Sequence, residues 1–298
     1  MKLIADSGST KTDWTLLHDT GRRADEVFVK TFKTQGITPV HQSPAEIRQI
    51  LVQELMPQLS TFSRAELVHS KILETPLLSN INVFFYGSGC TPANVPMMKQ
   101  MLGEVFSPQK VEVFSDLMAA ARALCGHEEG IACILGTGAN SCLYDGENIV
   151  QNTPPLGYIL GDEGSGAVLG KLFVNALFKD AQFADIRDAY LAETKLTMPL
   201  IINKVYREPL ANRFLASTSV FIHQHLEFRP LRQMVVDNFR SFFQRNLVQY
   251  QRRDLPVHAV GSIAFNYQEE LKEAAEKEGF TIGHLLATPM EGLIEYHQ

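Results

Sequence analysis

Along the first half of the chain, short apolar or alternating runs are broken by small-residue turns and by stretches of helical period. The segment 162–251 has helical period almost throughout. Runs at 2–5 and 12–17 predict two strands joined across Asp6-Ser7-Gly8-Ser9, and Asp19-Thr20-Gly21 offers a further turn before a third strand at 26–32. An amphipathic helix follows at 44–55, with Ser43 placed to accept from its first-turn amides. Strands are predicted at 82–86 and 111–114, and helices at 93–106 and 117–124. The opening pattern then recurs: an apolar strand at 131–135, the turn Gly136-Thr137-Gly138, a strand at 141–144, the hairpin turn Asp145-Gly146 and a strand at 147–151. Such a repeat points to an internal duplication with its division near residue 116, giving domains 1–116 and 117–298. Beyond the helical stretch, 256–260 reads as a strand, Gly261-Ser262 as a turn and 269–278 as a helix.

The length of 298 residues gives room for two domains of ordinary size. With 27 Lys and Arg against 33 Asp and Glu, the net charge of −6 supplies no field for nucleic acid or for an anionic membrane. The opening MKLIADSGSTKTDW lacks the pattern of a secretory leader, and no run reaches the roughly 18 apolar residues of a spanning helix, so a cytoplasmic location is expected. Cys90, Cys125, Cys133 and Cys142 form no Cys-x-x-Cys pair and match neither a disulfide frame nor a zinc site. His223-x-His225 is the other metal-like spacing, but on a helix the two rings diverge, which favours packing.

Three turns could hold phosphate through convergent backbone N–H groups: 6–12 (DSGSTKT), 135–141 (LGTGANS) and 260–264 (VGSIA). Each also reads as an ordinary turn, but all three follow short apolar strands. Neither a Walker loop nor G-x-G-x-x-G is present, so a bound nucleotide would lie among hairpins. Asp6, at the end of the first strand, could hold Mg²⁺ through water, or cap its own turn. Asp116, between a strand and a helix, could take a proton from an alcohol or serve with Ser115 as an N-cap. Asp162 precedes a helix and could accept from sugar hydroxyls, with Gly157 allowing close approach of a ring. The alternative is a purely structural helix start, in which Gly166 and Gly170 pack one face closely on a neighbour.

In this order, DSGSTKT, Asp116 before an alanine-rich helix, LGTGANS, LGDEGSG at 160–166 and VGS at 260–262 resemble the actin, hexokinase and Hsp70 superfamily. More narrowly they resemble the N-acetylglucosamine kinases and the related BadF/BadG/BcrA/BcrD-type ATPases. The resemblance implies an α/β fold of two ribonuclease-H-like (actin-like ATPase) domains with an interdomain cleft for Mg-ATP, the second domain enlarged by helices. It also implies an enzyme, an ATP-dependent kinase acting on the 6-hydroxyl of N-acetylglucosamine or a related amino sugar. Thr10 and Thr137 match phosphate contacts, within ATP-binding turns formed by Ser7, Gly8, Ser9, Thr10 and Lys11 and by Gly136, Thr137 and Gly138. Gly261 and Ser262 match the adenosine turn, Asp116 the general base, and Gly157 and Asp162 sugar-binding positions, with Thr38 and Asn140 beside them. Mg²⁺ falls to Asp6.

The chain departs from the family at Ser7 and Ser9, often glycines there, and at Pro155-Leu156, where the sugar kinase has glycine and tryptophan. It departs again at Thr38, which stands near an asparagine position, and at the single glycine of 260–262. The activase branch's cluster cysteines are missing. A sugar-independent ATPase coupled to a partner protein and an inert sugar or nucleotide sensor are the alternative readings. The stretch 212–251, rich in Phe and Leu, could either fill the second domain or form a homodimer interface.

Overall fold

A computed structural model describes residues 1–19, 27–61 and 81–298, with the backbone alone at 18, 19, 27 and 28. Thr20, Gly21 and Glu26, parts of the expected turn and third strand, lie outside the described residues. The chain divides into two compact units, Met1–Ala123 with Pro289–Gln298, and Leu124–Thr288. The division therefore falls seven residues after the expected 116, and the last ten residues belong to the first unit rather than the second. The reason is packing. The helix Asp116–Cys125 buries Ala119 against Ile4, Leu17, Phe84 and Tyr86 of the first sheet, and Leu293 of the final helix joins the same cluster.

The first unit is built on a five-stranded sheet of β1 (Lys2–Ser7), β2 (Lys11–Asp19), β3 (Val27–Gln35), β4 (Asn82–Gly87) and β5 (Lys110–Ser115), in the order β3-β2-β1-β4-β5. The β1–β2 and β2–β3 pairs are antiparallel, while β1–β4 and β4–β5 are parallel. Side chains alternate between faces. Leu3, Ala5, Trp14, Leu16, Val83 and Phe85 meet a layer of helices through Ile47, Leu51, Leu55, Met98 and Leu102. That layer comprises Pro44–Ile50, its continuation Leu51–Leu55, and Val95–Phe106. Ser43 starts the layer through a capping box with Glu46. Ile4, Phe84 and Tyr86 face the other layer, formed by Asp116–Cys125 and Met290–His297.

The second unit repeats the plan with β6 (Glu129–Leu135), β7 (Ala139–Asp145), β8 (Ile149–Asn152), β9 (Val257–Val260) and β10 (Ile282–Leu286), in the order β10-β9-β6-β7-β8. Again the first three strands are antiparallel and the last two join in parallel. The duplication read from weak sequence similarity is thus present as identical connectivity, two ribonuclease-H-like α/β units. The expected long helix between β8 and β9 is a series of shorter ones, among them Gly166–Lys179, Ala184–Thr194, Met198–Tyr206, Ala211–Ser217, Ser219–Gln224 and Arg229–Phe242. Phe221, Ile222, Val235, Phe239, Phe243 and Leu247 are buried in the second core, which assigns these apolar positions of 212–251 to that interior. Gly170 does what its spacing with Gly166 foretold: a Cβ there would fall 2.0 Å from the Leu215 carbonyl oxygen. His223 packs edge-on to Tyr267 and His225 stacks on Phe221, a packing role for both. All four cysteines are free.

Trp14, the single tryptophan of the sequence, is fully buried in the first unit, so its fluorescence reports on that unit. Leu293→Ala, which opens a cavity beneath the final helix, is expected to lower the stability of the first unit by about 2–4 kcal/mol, read from the Trp14 signal in urea. An unchanged midpoint would mean that the final helix contributes little to this core.

Candidate functional site

In the first unit the carboxyl ends of β1, β4 and β5 lie side by side, because Ser7 pairs with Gly87 and Gly87 with Ser115. That register brings Asp6, the turn after β1 and Asp116 to one edge of the sheet. The turn is tied inward. Ser7 is buried, its Oγ 2.6 Å from Thr12 Oγ1, donating to the Ile37 carbonyl at 2.9 Å and accepting from the Ile37 N–H at 3.0 Å. Gly8 N–H donates to the Lys11 carbonyl, and Gly36 N–H to that of Thr10. Gly36 can be only glycine here, since a Cβ would lie 2.3 Å from the Gly8 oxygen. These bonds leave Gly8, Ser9, Thr10 and Lys11 on the exposed side. Ser7 therefore holds the turn rather than presenting its hydroxyl to a ligand, and Gly36, which follows β3, shapes it from behind.

Asp6 is directly opposite Asp13 on β2. Burial pushes its carboxyl up to about 7, with further upward pressure from Asp13 and Asp116 and a partial offset from the Lys11 ammonium. Asp13 carries that ammonium: Lys11 Nζ is 2.6 Å from its Oδ2, and Lys33 Nζ 3.9 Å from its Oδ1. Asp116 opens its helix, but the capping bond to Met118 N–H is accepted by Ser115 Oγ at 3.2 Å. Asp116 Oδ1 accepts from the adjacent Leu117 N–H at 2.9 Å, and burial raises its pKa above the ordinary carboxylate value. Thr38 is buried nearby in sequence, its N–H donating to Gln42 Oε1 at 2.7 Å and its methyl lying toward Gly89.

In the second unit β6, β9 and β10 likewise end together, Ile134 pairing with Val260 and Val260 with Leu286. The turn Gly136–Gly138 sits at that edge. Its carbonyls are taken from behind, Gly136 O by Gly166 N–H at 2.8 Å, Thr137 O by Ala167 N–H at 3.1 Å and Gly138 O by Gly136 N–H at 3.0 Å. None of these bonds uses the N–H of Thr137 or Gly138, as an anion-binding turn requires. Gly261, at φ +124°, packs so closely that a Cβ would stand 2.4 Å from the Leu135 oxygen, which places the Gly261-Ser262 turn against the Gly136 turn.

Asp162 has a left-handed backbone (φ +56°), and its carboxylate accepts from the N–H groups of Ala139 and Gly157. It thereby joins the Gly136 turn to the loop carrying Gly157, and burial raises its pKa. Its Oδ2 would lie 3.0 Å from a Cβ at Gly138. The helix cap proper is Ser165, whose Oγ accepts from Val168 N–H at 3.1 Å. Asn140 stands apart from Asp162 in its bonding, its Oδ1 accepting from Ser141 N–H and from Asn152 Nδ2, each at 2.9 Å.

Sequence reasoning missed Asn238, which is buried and clamps the loop by accepting from Gly164 N–H at 3.1 Å and donating to the Ser165 carbonyl at 3.3 Å. A polar residue on the buried face of an amphipathic helix was its only signal. A pocket of about 540 Å³ opens against this loop, with Gly161, Glu163 and Asn238 on its walls beside Val168, Leu172 and Met234.

An Asp6 that ionises near 3.8 when unfolded and near 7 when folded leaves the native state holding an extra proton between those values. Stability contributed by the protonated carboxyl is then lost as pH rises through that window and levels off above it. With divalent ions chelated, Asp6→Asn is expected to remove most of this loss, gaining roughly 2–3 kcal/mol on the wild type at pH 8 and almost nothing at pH 4. Urea melts followed by Trp14 fluorescence at both pH values test it; a gain equal at the two would refute the charge explanation.

No protein-family profile matches the chain, and no curated protein matches it in sequence. Among solved structures, a provisionally named N-acetylglucosamine kinase from Porphyromonas gingivalis is 46% identical, with 100% of this chain and 98% of that one covered at a TM-score of 0.87. A second, from Chromobacterium violaceum and provisionally named likewise, is 17% identical over 100% and 98% of the two chains at a TM-score of 0.64, a likeness of fold. The full-length identity to the first, with the doubled sheet topology, places this chain in the family of N-acetylglucosamine kinases and BadF/BadG/BcrA/BcrD-type ATPases, within the actin, hexokinase and Hsp70 superfamily.

Proposed function

We propose that this chain is an ATP-dependent sugar kinase that transfers the γ-phosphoryl group to the 6-hydroxyl of N-acetylglucosamine or a related amino sugar. The observation that carries the proposal is Asp116. It stands at the carboxyl end of β5, Ser115 fulfils the cap of its helix, and burial makes its carboxylate more basic than a solvated one. In that role Asp116 takes the proton of the sugar hydroxyl as the new O–P bond forms and the bond from the γ-phosphorus to the bridging oxygen breaks, releasing ADP. The 46% identical relative, by its provisional name, supports an amino sugar as acceptor.

The turns at 7–11 and 136–138 are assigned to the phosphates, because the carbonyls of Gly136, Thr137 and Gly138 in the second and of Thr10 and Lys11 in the first are bonded within the protein. Gly261 and Ser262 are assigned to the adenosine end, and Thr38, Gly157, Asp162 and Asn140 to the sugar. Among the described residues no group of three or more His, Cys, Asp or Glu side chains is placed to hold a metal ion. A cation kept largely in its own water fits this, with Asp6 as its protein anchor, since burial and then the carboxylates of Asp13 and Asp116 raise its pKa, which Lys11 only partly offsets. When bound, Mg²⁺ would supply neutralisation of phosphate charge.

ADP release measured with a panel of hexoses and N-acetylhexosamines tests the assignment. Turnover that requires an N-acetylhexosamine is expected. Hydrolysis indifferent to sugar would favour a partner-coupled ATPase, and binding without turnover a sensor. Asp116→Asn is expected to lower kcat by about 10²- to 10⁴-fold with nucleotide affinity nearly unchanged, the signature of a lost general base.

A further inference from the structure

Asp6 and Asp13 point to the same face of the first sheet from directly opposed positions on β1 and β2. Two like charges so placed repel one another across the strands. The chain counters this with a cation of its own. Lys11 lies two residues before Asp13 on the same strand and face, and its ammonium is drawn back along β2 onto Asp13 Oδ2 at 2.6 Å instead of extending past the turn from which it springs. Lys33, the cross-strand partner of Asp13 on β3, sits farther off at 3.9 Å and is more exposed. Lys11 is also the positive charge felt at Asp6.

We propose that Lys11 is a built-in counter-ion that occupies the Asp6–Asp13 pair until a divalent cation replaces it, and that its release then supplies an ammonium to the phosphates at the 7–11 turn. The inference rests on the reading of Asp6 as cation anchor and of that turn as a phosphate site. Its physical basis is exchange of charge. A lysine stem long enough to reach Asp13 from position 11 also reaches the turn, but one ammonium serves one place at a time. Metal and ammonium compete for the carboxylates, while metal and phosphate reinforce one another, because each frees the group the other needs. Asp13 becomes in this scheme a positioning residue, holding Lys11 in the absence of metal and backing Asp6 in its presence.

Opposite signs of effect in one variant test the exchange. Mn²⁺ binding to the full-length, nucleotide-free protein is followed by electron paramagnetic resonance, and ADP binding at saturating Mg²⁺ by calorimetry. Lys11→Met is expected to tighten Mn²⁺ about three- to tenfold, as removal of a nearby competing charge should, and to weaken ADP by a similar factor. Lys33→Met should change Mn²⁺ affinity less than twofold. Asp13→Asn should weaken Mn²⁺, and within it Lys11→Met should no longer matter to the metal. Unchanged or weaker Mn²⁺ binding in Lys11→Met overturns the proposal, as does failure of every variant to bind Mn²⁺. Absence of sugar-dependent turnover would refute the kinase reading yet leave the Mn²⁺ comparison intact, so the two failures are distinguishable.

Discussion

The register of three parallel strands is the constraint on which the rest of each unit depends. Ser7, Gly87 and Ser115 are cross-strand neighbours although more than a hundred residues separate the first from the last. Parallel pairing forces all three chains to leave the sheet at one edge, and every loop there must turn within reach of the others. A shift of one residue in β1 would turn Asp6 to the face of Trp14 and Phe85, among buried hydrophobic side chains that would desolvate an ionised carboxylate. The buried alternation of Leu3, Ala5 and Trp14 on one face and Ile4 and Tyr86 on the other therefore fixes the chemistry at the strand ends as firmly as it fixes the core.

The same logic explains why the two units carry different chemistry on one plan. In the first, the edge collects carboxylates: Asp6, Asp13 and Asp116. In the second, it collects backbone amides and glycines, with Asp162 accepting from the N–H groups of Ala139 and Gly157. Gly36 and Gly261 play equivalent parts, each allowing another turn to pass at a distance that a methyl group would forbid. Sheet topology was duplicated; the residues at the edges diverged.

Much of this is visible in the sequence, and the exceptions have physical causes. Alternation marks β1, β2, β6 and β7 because one face of each must differ from the other, and the glycine turns between them announce themselves. β10 escaped notice: it is a short edge strand carrying Gly283 tight against His258, and its half-exposed positions show no clear period. The helix Met290–His297 was likewise unread, and with it the return of the chain to the first unit, because long-range docking leaves no local trace. Within the site, Asp116 and the turns stood out by residue type and position. The engagement of the Ser7 hydroxyl with Ile37 and the clamp by Asn238 join residues 30 and 74 positions apart and leave no local trace in the sequence.

The return of residues 289–298 has a consequence for biosynthesis. Translation produces the strands of the first unit early, but the helix that covers Ile4, Phe84 and Tyr86 follows all of Leu124–Thr288 in the chain. At about 5–20 residues per second, the ribosome needs on the order of ten seconds or more to make that stretch. During that interval the layer over Ile4, Phe84 and Tyr86 consists of Asp116–Cys125 without its second helix, while all of Leu124–Thr288 is made. The unit begun first is thus the last to have all of its chain, and Leu293 is the part of the cluster around Ile4 and Tyr86 that arrives latest.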